Sequence, residues 1–221
     1  MAAVTTVSGT ILDPLLRVDP VGPRITYYDD ATGERIELSA ATLANWAAKS
    51  GNLLRDELGA GPGSRVAVLL PAHWQTAAVL FGAWWVGAEA LLHPPGDPEP
   101  PAADIALCTA DRLAAADAAV GLGEVAVLSL DPFGRSAPDL PVGVTDFATA
   151  VRVHGDQIAA EPDPGPALAG KSVADLLAEC QRSAAAQGFT AADRVLCTQP
   201  WATATALVDR LLAVLTAGGS L

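Results

Sequence analysis

The chain has 221 residues and a formal net charge of −12 at pH 7, with 51% hydrophobic and 17% charged residues. This length and hydrophobic content predict a folded domain with a sizeable core and exclude an intrinsically disordered chain. The excess of acidic residues would repel phosphate backbones, so we expect no nucleic-acid partner.

The elements alternate between apolar strands and amphipathic helices. In chain order, the patterns predict strands at 25–28 and 35–38 joined in a hairpin, a helix at about 40–58, a strand at 65–70, a helix at about 73–86, strands at 88–92 and 104–108, a helix near 111–119, a strand at 124–130 and a helix at about 172–187. The segment 147–154 fits either a short helix or a strand. Continuous apolar strands are typical of a parallel sheet that is covered on both faces.

One unit of the sequence occurs twice. Arg65–Pro71 is an apolar strand ending at a proline, followed by a helix and Gly87; Arg194–Pro200 is followed in the same way by a helix and Gly218. This repetition predicts an α/β fold with two related βαβ halves, a mostly parallel sheet flanked by helices, and an N-terminal β-hairpin. We expect a single domain over 1–221, with halves at about 25–130 and 145–221.

The location of the protein is predicted from three features. The apolar segment Ala77–Ala88 is shorter than the roughly 20 residues that a membrane span needs, so it predicts a buried core helix and no membrane partner. Met1–Thr6 has no basic residues ahead of an apolar stretch, so no signal peptide is predicted. Three cysteines without a paired spacing favour a reducing, cytoplasmic environment.

One string could carry chemistry. Gly165, Gly170, Lys171 and Ser172 match the G-x-x-x-x-G-K-[ST] pattern, in which backbone amides and the lysine hold phosphates and the serine holds Mg²⁺. Pro166 removes one amide donor from such a cradle, and no strand leads into it. The alternative interpretation is that Gly170 ends a loop and Ser172 caps a helix. The four residues are therefore weak candidates for binding ATP or AMP with magnesium.

No catalytic residue is assigned. His73, His93 and His154 are too scattered to define a metal site, and we expect local hydrogen-bonding roles for the first two. Trp84 and Trp85 are adjacent on a predicted helix, so their rings cannot face the same way. An exposed tryptophan tends to lie in a contact, and the pair therefore predicts a homodimer interface.

The chain resembles the N-terminal half of the adenylate-forming superfamily, which includes acyl-CoA synthetases and AMP-binding ligases. The resemblance lies in the segments ITYYDDATGERIELSAATLANWAAKSGNLL, LGAGPGSRVAVLLPAHWQTAAVLFGAWWVGAEALLHP and GFTAADRVLCTQPWATATALVDRLLAVLTAGGSL. More narrowly, it is similar to a short, stand-alone actinobacterial relative of these enzymes. The resemblance implies the superfamily's α/β scaffold.

The chain departs from the superfamily at its active-site motifs. By position, residues 163–172 replace a phosphate loop resembling T-S-G-T-T-G-x-P-K-G, and Pro166, Ala167, Leu168 and Ala169 stand where hydroxyl side chains are expected. The segment 200–203 lacks the histidine that the family often has in its substrate wall. We also expect the family's C-terminal domain, with its catalytic lysine, to be absent.

Three functions are compatible with the sequence: the first two rest on the resemblance, and the third rests on the apolar first half of the chain alone. The first is a catalytically inactive relative that acts as a binding or interaction protein. The second is a ligase fragment that needs a separate C-terminal chain, with Gly165 and Lys171 still contacting phosphate. The third is a simple carrier of a small acyl or aryl ligand.

Overall fold

The computed structural model describes residues 5–221. The helices are α1 (Val7–Val18), α2 (Ala40–Asp56), α3 (Trp74–Trp85), α4 (Leu113–Val120), α5 (Phe147–Ala150), α6 (Val173–Gln187), α7 (Ala204–Leu207) and α8 (Ala213–Thr216), the last two joined by a π-helical stretch at Val208–Leu212. The strands are β1 (Pro23–Asp29), β2 (Glu34–Ser39), β3 (Arg65–Leu69), β4 (Glu89–Leu92), β5 (Ile105–Cys108), β6 (Glu124–Val127) and β7 (Thr145–Asp146). The prediction that the chain has no signal peptide was based on Met1–Thr6, which lies mostly outside the described residues.

A five-stranded parallel sheet with the order β4-β3-β5-β6-β7 forms the centre of the molecule. Side chains alternate between its faces: Val66 and Val68 join the core beneath α2 and α3, whereas Ala67 and Leu69 pack against the smaller core beneath α4. Strands β1 and β2 form a separate antiparallel hairpin. The predicted fold class, a parallel sheet flanked by helices with an N-terminal hairpin, is confirmed.

The predicted helix ends are explained by their caps. Ser39 Oγ accepts a hydrogen bond of 3.1 Å from the Thr42 amide at the start of α2, and Ser172 Oγ accepts one of 3.2 Å from the Asp175 amide at the start of α6. Such caps satisfy amides that have no partner within the helix. Gly188 ends α6 with a φ of 70°, which a glycine adopts without strain.

The duplicated unit has the same hydrogen bonding in both copies. Arg65 pairs with Glu89 in the first copy, and Arg194 pairs with Ser220, also in parallel, in the second. The Glu89 amide donates to the Ser64 carbonyl at 2.9 Å, and the Ser220 amide donates to the carbonyl before Arg194 at 3.0 Å. The glycine two residues before each paired residue has a positive φ, of 76° for Gly87 and 85° for Gly218. The two copies are therefore alike in local geometry as well as in sequence.

Several expectations need correction. The strand expected in the second copy of the repeat does not form at 194–199, because Arg194 alone pairs with another segment, through a single bridge to Ser220. The strand predicted at 124–130 ends at Val127, and Leu130 has a positive φ of 57° that a strand cannot contain. Sequence patterns missed α1, whose buried Ser8 Oγ donates to the Phe81 carbonyl at 2.6 Å. The division into halves at 25–130 and 145–221 stays a prediction. Within residues 5–221, every helix is too short or too polar to cross a bilayer.

Candidate functional site

The segment 163–172 lies at the amino ends of β3 and β4. Ala167 accepts hydrogen bonds on its carbonyl from the Ala90 amide at 2.9 Å and from Trp84 Nε1 at 2.7 Å. Leu168 forms a parallel bridge with Ala90, on the edge strand of the sheet. Both Ala167 and Leu168 are buried, at 2% and 1% exposure. The side chains that replace the expected hydroxyls are therefore part of the core.

The end of this segment forms a tight turn. The Lys171 amide donates to the Leu168 carbonyl at 3.0 Å, and the Ala167 amide donates to the Lys171 carbonyl at 2.7 Å. The two central residues, Ala169 and Gly170, have positive φ angles of 50° and 75°. Positive φ at both positions is the pattern of a type I′ turn between antiparallel segments. The string that matches a phosphate loop is thus a short hairpin turn followed by the cap of α6.

The four predicted binding residues lie together in this segment, and each has a partner within the protein. The Gly165 amide donates to the Gly87 carbonyl at 3.0 Å, and the Gly170 amide donates to Glu89 Oε1 at 2.6 Å. Lys171 Nζ pairs with the Glu179 carboxylate. Ser172 Oγ donates to Asp175 Oδ2 at 2.7 Å while it caps α6. The carboxylates of Glu89 and Glu179 thus already bind the amide and the ammonium group that would otherwise contact phosphate.

A cavity of about 780 Å³ lies at the opposite, carboxyl ends of β3 and β4. Three segments enclose it: the β1 strand, the connections that follow β3 and β4, and the chain before α7. Its lining includes Ile25, Tyr27, Tyr28, Leu70, His73, Trp74, Leu80, Leu92, His93, Leu196, Gln199, Trp201 and Leu207. Ligands of open α/β folds bind at the carboxyl ends of the strands, so this cavity occupies the position where the fold offers a site.

His73 begins α3 beside the cavity. Its Nδ1 accepts a hydrogen bond of 3.1 Å from the Gln75 amide, so a neutral ring carries its proton on Nε2. Burial lowers the pKa of His73 to about 4, because a charged imidazolium loses its hydration there. The predicted local hydrogen bond is present, and His73 is neutral at physiological pH.

His93 follows β4 directly and is 3% exposed. Burial first, and then the nearby charge of Arg112, lower the pKa of His93 below its usual range. Its Nε2 is buried without a hydrogen-bond partner among residues 5–221, and the same holds for Nε1 of Trp74 and of Trp201. Buried polar atoms in proteins are normally paired. These three nitrogens belong to residues on the lining of one cavity, but the atoms themselves are covered by the protein and do not face the cavity.

The sequence contained a sign of this cavity that residue spacing alone did not reveal. His73 and His93 each follow an apolar parallel strand within a few residues, and the carboxyl ends of adjacent parallel strands meet at one edge of the sheet. Trp201 lies in the segment 200–203, where the superfamily resemblance implied a substrate wall, and this segment does line the cavity.

The tryptophan pair is oriented toward the chain's own elements. Trp84 is 2% exposed and bonded to Ala167, while Trp85 is half-buried with its ring close to Gly9 of α1. The homodimer inferred from this pair stays a prediction. Over residues 5–221, no three His, Cys, Asp or Glu side chains are grouped closely enough to hold a metal ion.

Solved structures share this fold. An acyl-CoA synthetase from Brucella canis matches with a TM-score of 0.80 at 18% identity, covering 98% of this chain and 42% of that one. The anthranilate CoA ligase AuaEII, in complex with anthranoyl-AMP, matches with a TM-score of 0.78 at 17% identity, covering 100% and 45%. Apo MatB from Rhodopseudomonas palustris matches with a TM-score of 0.71 at 22% identity, covering 97% and 44%. The protein thus has the fold of part of the acyl-CoA and aryl-CoA synthetases, and it spans less than half of their length.

A narrower relationship comes from sequence. No protein-family model matches the chain. The TIGR03089 family protein of Mycobacterium tuberculosis is 72% identical over 225 residues, covering 100% of this chain and 90% of that protein. The chain belongs to the TIGR03089 family. The predicted resemblance to adenylate-forming enzymes is confirmed at the level of the fold.

Proposed function

We propose that this protein is a non-catalytic relative of adenylate-forming enzymes that binds a small acyl or aryl compound without activating it. The observation that carries the proposal is the contrast between the two ends of the sheet. At the amino ends, the Gly170 amide and the Lys171 ammonium group are bound within the protein, beside an open pocket of about 490 Å³ that Gly165, Gly170 and Ser172 line, whereas the carboxyl ends hold a larger cavity of about 780 Å³.

The chemistry of adenylation supports the inactive part of this proposal. Formation of an acyl adenylate expels pyrophosphate, and the enzyme must stabilise the developing charge with free amides, hydroxyls or cations. Here the Gly170 amide and the Lys171 ammonium group are bound to Glu89 and Glu179. Ala167 and Leu168 offer no hydroxyl, and their side chains lie in the core. The Ala167 carbonyl accepts from the Ala90 amide of β4, and the Leu168 carbonyl accepts from the Lys171 amide within the turn.

The geometry of the cavity supports the binding part. Its volume of about 780 Å³ falls within the range of small-molecule sites, and its lining is mainly apolar with a few polar ring atoms. The segment 163–172 does not contribute to this lining among the described residues. A ligand in the cavity would thus be separated from that segment by the length of β3, so the two would not act on one molecule.

The test uses a neutral apolar dye and an assay for pyrophosphate. Nile red should bind the wild-type protein saturably, and Ala202→Trp, which adds an indole on the lining, should weaken binding at least ten-fold. The matched control is Ala186→Trp on an exposed part of α6, which should bind as the wild type does. With ATP, Mg²⁺ and a mixture of aryl and fatty acids, no pyrophosphate should be released. Sustained pyrophosphate release, or no saturable dye binding, would contradict the proposal.

A second candidate is a ligase fragment that becomes active with another chain. It is favoured by the isolated parallel bridge between Arg194 and Ser220, which no strand extends among the described residues. The chain also spans only 42–45% of the synthetases it matches. Co-expression with a C-terminal half of such a synthetase tests it: pyrophosphate release that depends on both chains, and is lost in Lys171→Ala, would replace the first proposal by this one.

A further inference from the structure

Three backbone segments lie side by side along one wall of the cavity of about 780 Å³. The Leu221 amide donates to the Arg24 carbonyl at 2.9 Å, and the Thr26 amide donates to the Leu221 carbonyl at 2.7 Å. On the opposite side, the Val195 amide donates to the Ser220 carbonyl at 2.8 Å. Ser220 and Leu221 thus form a short central segment that pairs with β1 on one side and with the chain before α7 on the other.

The two flanking segments extend further along the cavity than the central one. On one side, β1 continues beyond its pairing with Leu221. On the other side, half-buried and exposed side chains alternate along 195–198, which is the pattern of extended backbone. Residues 26–28 and 196–198 both line the cavity, as does Leu221. We call the space between these two flanking segments the slot.

Both edges of the slot carry backbone groups without a partner. By alternation along a strand, Tyr28 directs its amide to the same side as Thr26, away from β2. Cys197 likewise directs its amide to the same side as Val195, and neither this amide nor the Val195 carbonyl has a hydrogen-bond partner among residues 5–221. The side chains of Leu196 and Tyr28 are 82% and 58% exposed. Unpaired strand edges of this kind are templates for pairing with another chain.

The first copy of the repeat shows what occupies the corresponding place. There, β3 pairs with β4 over four residues, from Arg65–Glu89 to Val68–Leu92. In the second copy, the equivalent pairing involves Ser220 and Leu221. The equivalents of the last two residues of β4, both leucines, would lie in the slot. An extended apolar strand is therefore the occupant that the repeat indicates.

The dimensions and charge of the slot narrow this occupant further. Each edge lies one strand away from Leu221, so the edges are about 9.5 Å apart near that residue. One extended strand fills such a gap and pairs on both sides, whereas a helix, about 10–12 Å across, is too wide. Asp30 is the only Asp or Glu among the described lining residues, none of them is Lys or Arg, and the protein has a net charge of −12. An acidic occupant would thus be repelled.

We propose that the slot binds an extended peptide segment of a partner protein, with apolar residues at alternate positions and no acidic ones. The segment inserts as a strand between β1 and residues 195–198, and its carbonyls accept from the Tyr28 and Cys197 amides. Alternate side chains face the apolar interior of the cavity, whose wall the segment completes. This interaction goes beyond the small ligand proposed above and does not depend on it.

A synthetic peptide tests the inference. Lys-Val-Thr-Val-Thr-Val-Lys, labelled with fluorescein, is titrated with the full chain and followed by fluorescence anisotropy, and it should bind saturably at micromolar concentration. A version with N-methylated valines keeps the side chains but loses three amide donors, so it should bind at least ten-fold more weakly. A version with glutamate in place of both lysines should bind about ten-fold more weakly at low salt.

Two proline variants locate the peptide. Cys197→Pro removes the amide that is directed into the slot and should weaken binding by about two- to ten-fold. Thr198→Pro is the matched control, because it removes the amide on the opposite side of the same extended segment, and it should bind as the wild type does. Neither residue lies in a helix or a strand, and extended backbone accommodates proline at both positions.

The outcomes separate this inference from the proposed function. No saturable peptide binding, equal binding of the N-methylated or glutamate version, or a loss confined to Thr198→Pro would overturn the inference. A dimer of the protein alone that Cys197→Pro dissociates would assign the slot to a second copy and overturn it as well. Nile red binding without peptide binding would remove the inference and leave the proposed function, and the reverse result would remove the proposed function alone.

Discussion

The Gly170 amide and the Glu89 carboxylate are joined by a hydrogen bond of 2.6 Å that connects the turn after Leu168 to the first residue of β4. Glu89 takes the position at this amide that a phosphate oxygen would take in a nucleotide-binding loop. The same residue also pairs with Arg65 across the sheet backbone. A carboxylate of the scaffold thus holds the turn in place.

Removal of this carboxylate should destabilise the turn. Glu89→Ala leaves the Gly170 amide to water and should lower the free energy of unfolding by about 0.5–1 kcal/mol, since the bond is exposed to solvent. Glu89→Gln keeps an acceptor oxygen and should cost less than half as much. Urea unfolding monitored by tryptophan fluorescence measures both. Equal stability of wild type and Glu89→Ala would show that this bond does not contribute.

Leu168 tests whether the segment 163–172 belongs to the core. Its side chain is 1% exposed, so Leu168→Ala should cost about 2–4 kcal/mol, and Leu168→Ser should cost more because it also buries a hydroxyl. The neighbouring Ala169 has a φ of 50°, and Ala169→Gly should instead stabilise the protein by about 0.5–1 kcal/mol. A flexible binding loop would tolerate both changes at Leu168, and such tolerance would contradict this account.

His73 should make stability depend on pH. Its pKa is about 4 in the folded protein and about 6.5 when unfolded, so the unfolded state binds more protons between these values. The free energy of unfolding should therefore fall by about 3 kcal/mol from this group as the pH drops from about 6.5 to 4. His73→Asn can cap α3 with its amide oxygen but does not titrate. Its unfolding curves, measured across this range, should show a flatter pH profile; an unchanged slope would assign the effect to other groups.

The close packing of α3 against α2 should require the absence of a side chain at Gly82. A Cβ added to Gly82 would lie 2.7 Å from the Gly51 amide nitrogen and 2.9 Å from the Ala47 carbonyl oxygen, both backbone atoms that cannot move aside alone. Gly82→Ala should therefore cost about 1–3 kcal/mol through overpacking. Gly61 has open space around it, and Gly61→Ala should change stability by less than about 0.5 kcal/mol. Thermal unfolding of both variants makes the comparison, and equal melting temperatures would refute the close crossing.

The fold could be predicted where local patterns decide the structure. Continuous apolar strands, the Ser39 and Ser172 caps and the duplicated glycines specify elements through short-range geometry. The cavity could not be predicted in the same way. It depends on bringing His73, His93 and Trp201 together from distant parts of the chain, and only the sheet topology does so. Similarly, nothing in the spacing of Glu89 and Gly170 indicates that they meet.

The central claim is that residues 163–172 do not hold a nucleotide. The most direct measurement is isothermal titration calorimetry of the wild-type protein with ATP and Mg²⁺, and separately with AMP. We predict no saturable heat at millimolar nucleotide, because Glu89 and Glu179 occupy the Gly170 amide and the Lys171 ammonium group. Stoichiometric binding at micromolar concentration, weakened at least ten-fold by Lys171→Ala, would contradict the account.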